Sequence, residues 1–405
     1  MRIAFYTNTY HPTMSGVVQS IHTFRQALSN LGHNVFIFAQ EARKYKDTEP
    51  FIFRYPAFEL PMQQKYPVTI PISPYIDWAL PILKPQIIHS HHPVLLGRAA
   101  ADKAAELDVP LIFTHHTRYK LYSHYLPLDS KIVENVIDTY LDDYMSKCHH
   151  IVVPSESIKK ILVEEYGISS QITAVPTGLK LEQYEGIDGQ ATRQARGWGD
   201  DIVLISVGRL AKEKNWDTLI KAAAQVMKKY RRARLTLIGD GDERSNLEKL
   251  ARNLGIAKRV EFTGSIPHPE VVAALKAADL FCFASITETQ GLVTMEAMAA
   301  GLPVVAVDAT GTSDVVEHGL DGLLTKNDSD ALARAIEKML DNAEMQARFK
   351  EASLKRAQSL SIEAMAQRLI GVYNQAIEDQ KAGRRVQVQR PGKKKRWYEI
   401  LDLNF

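Results

Sequence analysis

Glu288 and Glu296 stand eight positions apart, with Gly291, Leu292 and Val293 between them. The apolar run 279–285 reads as a buried strand, a glycine-containing turn follows, and 292–300 reads as a helix. One carboxylate then lies in the loop at the strand's carboxyl edge and the other on the helix. Between them fall the first helical amides, which have no intrahelical partner and sit at the positive end of the helix dipole. Such amides favour an anion, above all a phosphate. This short segment therefore offers a diphosphate seat flanked by two groups able to accept hydrogen bonds from sugar hydroxyls.

A second constellation, residues 208–215, leaves another strand in the same half of the chain and carries Arg209 and Lys214. Arg209 could meet a phosphate through its planar fork and Lys214 as a point charge. A solvated basic turn is the alternative, and the helix start at Gly291 tips the balance towards phosphate. A third, residues 113–125, follows a strand of the first half and holds His115, His116 and His124 with Tyr119 and Tyr122. Histidines there can donate to a sugar hydroxyl or move a proton, and the aromatics can pack on a ring or a lipid stem. His89, His91 and His92 follow a further strand and read equally as support for neighbouring groups or as packing. Gly16, after the first strand, permits close approach of a ligand or simply makes a turn. Its loop is not a G-x-G-x-x-G, which speaks against a nicotinamide cofactor. The run 239–243 carries three acids that would repel a diphosphate, so it reads as a strand exit feeding a helix. Asp142 and Asp143 read as a solvated helix face, and no metal site is expected.

The elements that must position these groups alternate. Strand-like runs fall at 3–6, 35–39, 87–90, 111–114 and 151–153, then again at 202–207, 235–239, 260–263, 280–284 and 304–307. Helix-length amphipathic segments fill the gaps at 18–31, 97–106, 216–229, 243–254 and 269–278. Alternation of this kind predicts an α/β protein with parallel sheets, and 405 residues are too many for one ordinary core. The expected organisation is a domain over 1–180, a second over 181–361, a helix over 362–380 and a tail over 381–405. Ligands of open α/β sheets bind outside the carboxyl ends of the strands, so the site is expected in the cleft between the domains.

The net charge is +3, and the tail carries eight Lys/Arg against two Asp/Glu, so the rest of the chain is near −3. Lys393, Lys394, Lys395 and Arg396 precede Trp397 and Tyr398, a composition suited to an anionic membrane surface at on the order of 1 kcal/mol per cation. A terminus without a role is the alternative. Residues 1–180 carry 17 Lys/Arg and 16 Asp/Glu, so docking elsewhere would need a local patch. The two cysteines, Cys148 and Cys282, are far apart and suggest neither a disulfide framework nor a metal, with Cys282 a small buried hydrophobe. The first residues read as a strand rather than a signal peptide, and no run of about 18 apolar residues exists. A cytoplasmic protein, peripheral on the membrane, is the expectation.

These motifs resemble the retaining glycosyltransferases of family 4, over about residues 1–380. The most specific is E-x7-E, met by Glu288 and Glu296, joined by the Arg209 and Lys214 pair and the Gly16 loop. The resemblance implies the GT-B fold, two Rossmann-like domains facing across a cleft, with a C-terminal helix. It implies that Glu296 holds the nucleotide ribose, Glu288 the donor-sugar hydroxyls, and Arg209 and Lys214 the diphosphate. By the same resemblance His116 meets the donor sugar near the reacting carbon, and the backbone at Ile266 meets the base. Residues 116–125 and 288–292 look most like enzymes that glycosylate diacylglycerol lipids, which places Tyr119, Tyr122 and His124 at the acceptor. The implied reaction moves a hexose from a UDP-hexose to a (glyco)diacylglycerol acceptor with retention, needs no metal or other cofactor, and involves no nucleic acid. Alternatives are a soluble sugar or polysaccharide acceptor, a sugar-nucleotide epimerase or phosphorylase, and a sugar-nucleotide-binding protein without catalysis.

Overall fold

A computed structural model describes residues 1–13, 15–42, 44–59, 67–117, 130–168 and 171–387. The chain forms two compact units, one of residues 1–177 with 365–405 and one of residues 178–364. The first holds strands β1 (Arg2–Thr7), β2 (Asn34–Gln40), β3 (Ile52–Tyr55), β4 (Ala57–Glu59), β5 (Pro67–Thr69), β6 (Ile87–Ser90), β7 (Leu111–Thr114), β8 (His150–Val153) and β9 (Ile172–Ala174). Its helices are α1 (Gly16–Asn30), α2 (Pro74–Leu83), α3 (Leu96–Glu106), α4 (Ser130–Lys147) and α5 (Glu156–Tyr166). The second unit opens with α6 (Gly189–Ala195) and holds β10 (Ile202–Val207), β11 (Ala233–Ile238), β12 (Val260–Gly264), β13 (Leu280–Phe283), β14 (Val304–Val307) and β15 (Gly322–Thr325). Between and after them run α7 (Trp216–Lys229), α8 (Arg244–Asn253), α9 (His268–Ala277), α10 (Leu292–Ala299), α11 (Thr312–Val315), α12 (Ser329–Leu340) and α13 (Ala343–Ser359). The last helix, α14 (Ile362–Lys381), starts in the second unit and runs into the first, where Tyr373 is buried.

Each unit is built on a parallel sheet, ordered β3-β2-β1-β6-β7-β8-β9 in the first and β12-β11-β10-β13-β14-β15 in the second. Parallel pairing requires helical crossovers that cover both faces, so central strands are apolar throughout. β13 (Leu-Phe-Cys-Phe) and β14 (Val-Val-Ala-Val) are buried at every position. Burying one such side chain is worth roughly 1.5–3 kcal/mol, and that is what holds the strand ends in register beneath their loops.

The strand order reverses direction between β1 and β6 in one sheet and between β10 and β13 in the other. At such switch points neighbouring connections depart to opposite faces and leave a crevice at the carboxyl ends of the strands. The loops carrying Arg209, Lys214 and Glu288 leave β10 and β13, while those carrying Gly16 and His91 leave β1 and β6.

Five strands that hydrophobic runs do not reveal are β3, β9, β15, β4 and β5. The first three are sheet edges, and β4 and β5 form a separate two-stranded sheet. An edge strand is sheltered on fewer sides and need not be apolar throughout; β3 (Ile-Phe-Arg-Tyr) is only partly buried at three of its four positions. The acidic run 239–243 does pass from β11 into α8, and Asp142 and Asp143 lie on an exposed face of α4, with Asp143 paired to Lys147. Both cysteines are buried and unpaired with each other, and burial pushes their thiols up, so they behave as small core residues.

Candidate active site

In the second unit, β10 ends at Val207 and the chain turns through a short 3₁₀ segment, Lys212–Lys214, into α7. Asn215 closes this turn in the left-handed region (φ 55°), and its Nδ2 donates to the carbonyl of Ala284 at 3.0 Å. That bond ties the exit of β10 to the exit of its sheet neighbour β13. Trp216 Nε1 donates to the Arg209 carbonyl at 2.9 Å and pins the other side of the loop.

The result is a contact that spacing could not reveal. Lys214 Nζ donates to Glu288 Oε1 at 2.5 Å, with the two side chains only 21% and 14% exposed. Arg209 goes elsewhere: it pairs with Glu213 in its own loop at 2.5 Å and remains 60% exposed. The two cations therefore have different partners, Glu288 for the sheltered Lys214 and Glu213 for the more exposed Arg209.

α10 begins at Gly291, whose φ of 76° suits a residue without a Cβ, and no side chain caps it. Other helices here are capped by a side chain, such as α1 by Ser15 and α12 by Asp328. The first amides of α10, those of Leu292 and Val293, are thus left for something outside the helix. Glu296, one turn on, accepts from or is paired with His268 Nε2 at 3.2 Å, and that hydrogen bond raises the His268 pKa. His268 opens α9, just past Ile266, which is half-buried against the core. An unsatisfied helix start, a lysine and two anchored carboxylates are thus gathered on one side of one sheet. Chemically, that arrangement can hold a polyanion and accept from nearby hydroxyls.

Five histidines gather at the exits of β6 and β7 in the first unit. His89 lies between Tyr373 Oη at 2.8 Å and Thr114 Oγ1 at 2.6 Å. His91 Nδ1 and His116 Nε2 are 2.9 Å apart. His92 Nδ1 accepts from the Asn8 amide at 3.2 Å, and the buried His115 donates its amide to Val152 at 2.8 Å. Burial pushes His89 down to about 3 and His92 down to about 4, and it holds His91 and His116 well below the usual range. All four are neutral imidazoles near pH 7. Among the described residues no group of three or more histidines, cysteines or acids is placed to hold a metal ion.

A depressed imidazole pKa supports the fold fully above the unfolded value of about 6.5, and that support is lost as pH falls towards the folded values. The first unit is therefore expected to melt at a lower temperature at pH 5 than at pH 7.5, as followed by calorimetry. His268 in the second unit has the opposite sign, but it is half exposed and its contribution is small. An unchanged melting profile between those pH values would contradict the neutral cluster.

Gly16 opens α1 directly after its cap Ser15 and is exposed. Tyr119, Tyr122 and His124 lie outside the described residues, as does the basic tail from residue 388 onwards. No helix among the described residues is long and apolar enough to cross a membrane. Glu213, Asn215 and His268 escaped the reading of the sequence: Asn215 and His268 act through partners distant in the chain, and Glu213 through a turn whose geometry spacing does not fix.

The chain matches two family models in succession, Glycosyltransferase Family 4 over residues 14–183 and Glycosyl transferases group 1 over residues 188–356. It is 30% identical over 366 residues to alpha-monoglucosyldiacylglycerol synthase of Streptococcus pneumoniae, spanning 85% of this chain and 80% of that one. This chain is a family 4 glycosyltransferase. A second relative, the alpha-monoglucosyldiacylglycerol synthase of Acholeplasma laidlawii, is 29% identical over 355 residues, spanning 83% of this chain and 87% of that one. The crystal structure of Anabaena Alr3699/HepE in complex with UDP superposes with a TM-score of 0.75 at 19% identity, covering 92% of this chain and 100% of that one. That likeness bears on architecture alone, and the architecture is GT-B with two Rossmann-like domains. The family 4 glycosyltransferase described here is thus a sugar-transferring enzyme whose E-x7-E glutamates are both anchored, one by a lysine and one by a histidine.

Proposed function

We propose that this glycosyltransferase moves a hexose from a UDP-sugar to a (glyco)diacylglycerol at a membrane surface, with retention of anomeric configuration. The observation that carries the reading is the Lys214–Glu288 pair beside the uncapped start of α10. Departure of a nucleoside diphosphate builds negative charge, and preorganised donors aimed at that charge are a large source of rate. Lys214, Arg209 and the amides of Leu292 and Val293 supply them. Glu288 accepts from the donor-sugar hydroxyls, Glu296 from the ribose, and the backbone at Ile266 meets the base. His116 contacts the sugar near the reacting carbon, and Gly16 leaves room for the diphosphate. Attack comes from the face the leaving group departs, and the leaving phosphate takes the acceptor's proton. That scheme needs no separate base and no metal. Tyr119, Tyr122 and His124 serve the acceptor.

Two further facts support the lipid acceptor and the uridine nucleotide: two of the chain's relatives are named as synthases of a glucosyldiacylglycerol, and a structure of the same fold was solved with UDP. A local feature of the first unit supports docking on a bilayer. Ile72 is 67% exposed, and α2 presents Tyr75, Trp78 and Ile82 on one face, about 60% exposed each, while Ile76, Ala79 and Leu80 of the same helix are buried. Tyr and Trp on one exposed helical face suit the headgroup level of a membrane. Trp78→Glu is expected to reduce co-sedimentation with anionic vesicles by about tenfold or more, the scale of burying one large side chain. Undiminished binding would place any membrane contact elsewhere.

The direct test is a screen of UDP-glucose and UDP-galactose against diacylglycerol and monohexosyl-diacylglycerol in mixed vesicles. Products are read by mass and their anomeric configuration by NMR. An α-linked glycolipid is the expected product. Transfer to soluble sugars alone, or conversion of one UDP-hexose into the other without an acceptor, would overturn the reading.

A further inference from the structure

The strand exits that carry His91 and His116 are tightly determined. β6 and β7 are neighbours in register, with His89 opposite Ile112 and Ser90 opposite Phe113. The His91 amide donates to the Tyr6 carbonyl at 2.8 Å, which extends the ladder one residue past β6. Its ring is 2% exposed and packed on three sides: edge to face with Phe5 at 4.7 Å, stacked on His89 at 4.4 Å and stacked on His116 at 5.2 Å between centroids. A ring so enclosed has little freedom to turn.

Between two neutral imidazoles joined by Nδ1 and Nε2, one nitrogen must donate and the other accept. If His116 donates from Nε2, then His91 carries its own proton on its other nitrogen. That Nε2 of His91 is buried and has no partner among the described residues. This choice would bury an orphaned N–H, the rarer and more costly fault in folded proteins. If His91 donates from Nδ1, only a lone pair goes unmatched. His116 then accepts at Nε2 and keeps its proton on Nδ1, in a residue that is partly exposed.

We propose that His91 is a positioning residue that locks His116 in the Nδ1–H tautomer, so that His116 presents a hydrogen-bond donor to an oxygen of the donor sugar. The assignment rests on the reading of His116 as a donor-sugar contact and adds which nitrogen acts and what fixes it. Burial and the neighbouring imidazoles keep both rings neutral, which closes off the doubly protonated alternative near pH 7. A second imidazole holding the first in one tautomer is the same division of labour that orients metal-bound and catalytic histidines elsewhere.

Three full-length variants and one spectroscopic measurement test this. His91→Phe fills the space without a donor, His91→Asn places an amide N–H near the lost Nδ1, and His116→Phe marks His116 signals. Nitrogen-15 NMR of histidine-labelled wild type should show His116 as the Nδ1–H tautomer, and His91→Phe should move it towards the Nε2–H form favoured in water. Transfer kinetics should show kcat falling by about 10- to 100-fold in His91→Phe, with KM for the UDP-sugar within about twofold, and a substantial return in His91→Asn. Wild-type His116 in the Nε2–H tautomer would overturn the proposal. So would a His91→Phe variant with wild-type tautomer and kcat, or a folded His91→Asn variant no better than His91→Phe. If the wild-type enzyme transfers no hexose at all, the proposed function fails, and the NMR result still decides the tautomer by itself.

Discussion

Lys214→Ala is expected to lower kcat for sugar transfer by about 100- to 1000-fold, the range seen when one preorganised donor is removed from a developing anion. Two effects act in the same direction. On the proposed mechanism the leaving diphosphate loses a cation, and Glu288, 14% exposed and held at 2.5 Å by that cation, is left as an uncompensated carboxylate beside it. Removing one partner of a sheltered ion pair costs more than removing both. The double variant Lys214→Ala/Glu288→Ala should therefore be far less impaired than the product of the two single losses, because the second deletion relieves the repulsion left by the first. Steady-state kinetics on the four enzymes of this cycle measure it. A Lys214→Ala enzyme that keeps more than a tenth of wild-type kcat, or strictly multiplicative losses, would mean that the pair is structural and stands apart from the chemistry. Arg209→Ala should be milder, since Arg209 is paired within its own loop and is 60% exposed.

Gly311→Val is the second large effect. Gly311 sits in the loop after β14 at φ 79°, and a Cβ there would lie 2.7 Å from the Glu288 carbonyl oxygen and 2.8 Å from the Glu288 Cβ. Neither neighbour is the loose end of a flexible chain, so the loop bearing Glu288 must move. The same loops touch again at Gly291, where an added Cβ would meet the Gly311 carbonyl at 3.0 Å. Backbone is thus packed directly on backbone beneath the start of α10. A displacement of about 1 Å in a positioned catalytic group costs on the order of 100-fold in rate, and that is the loss expected. A β-branched side chain forced into the left-handed region adds about 1–3 kcal/mol of strain, worth roughly 2–4 °C of melting temperature per kcal/mol in a unit of this size. Activity should therefore collapse in a protein that is still folded at assay temperature. A Gly311→Val enzyme within about threefold of wild type would show that the Glu288 loop yields without consequence.

Both predictions depend on contacts between segments far apart in the chain, and the ease with which each part of the molecule could be read follows from that distance. The central strands were plain in the sequence because parallel sheets bury them on both faces, which forces runs such as 280–283 and 304–307 to be apolar at every position. β3 and β15 carry no such run, since an edge has fewer faces to bury. The E-x7-E segment was legible for a related reason. Strand, loop and helix follow one another without interruption, so spacing alone places Glu288 in the loop and Glu296 on α10.

What spacing could not supply is who stands beside whom. Lys214 and Glu288 are 74 residues apart and meet because β10 and β13 are sheet neighbours. His91 and His116 meet because β6 and β7 are. α2 illustrates the same limit on a single helix: residues 74–83 are apolar nearly all round, and only packing against the first unit decides that Ile76 and Leu80 go in while Tyr75 and Trp78 stay out. By itself, then, the order of residues determined which segments are strands and helices and which loops bear acids and bases, since those are matters of local periodicity and of the unpaired amides at a helix start. The strand order, and with it the Lys214–Glu288 pair, the histidine that faces His116 and the exposed face of α2, was decided only when non-local hydrophobic burial chose one sheet topology among many.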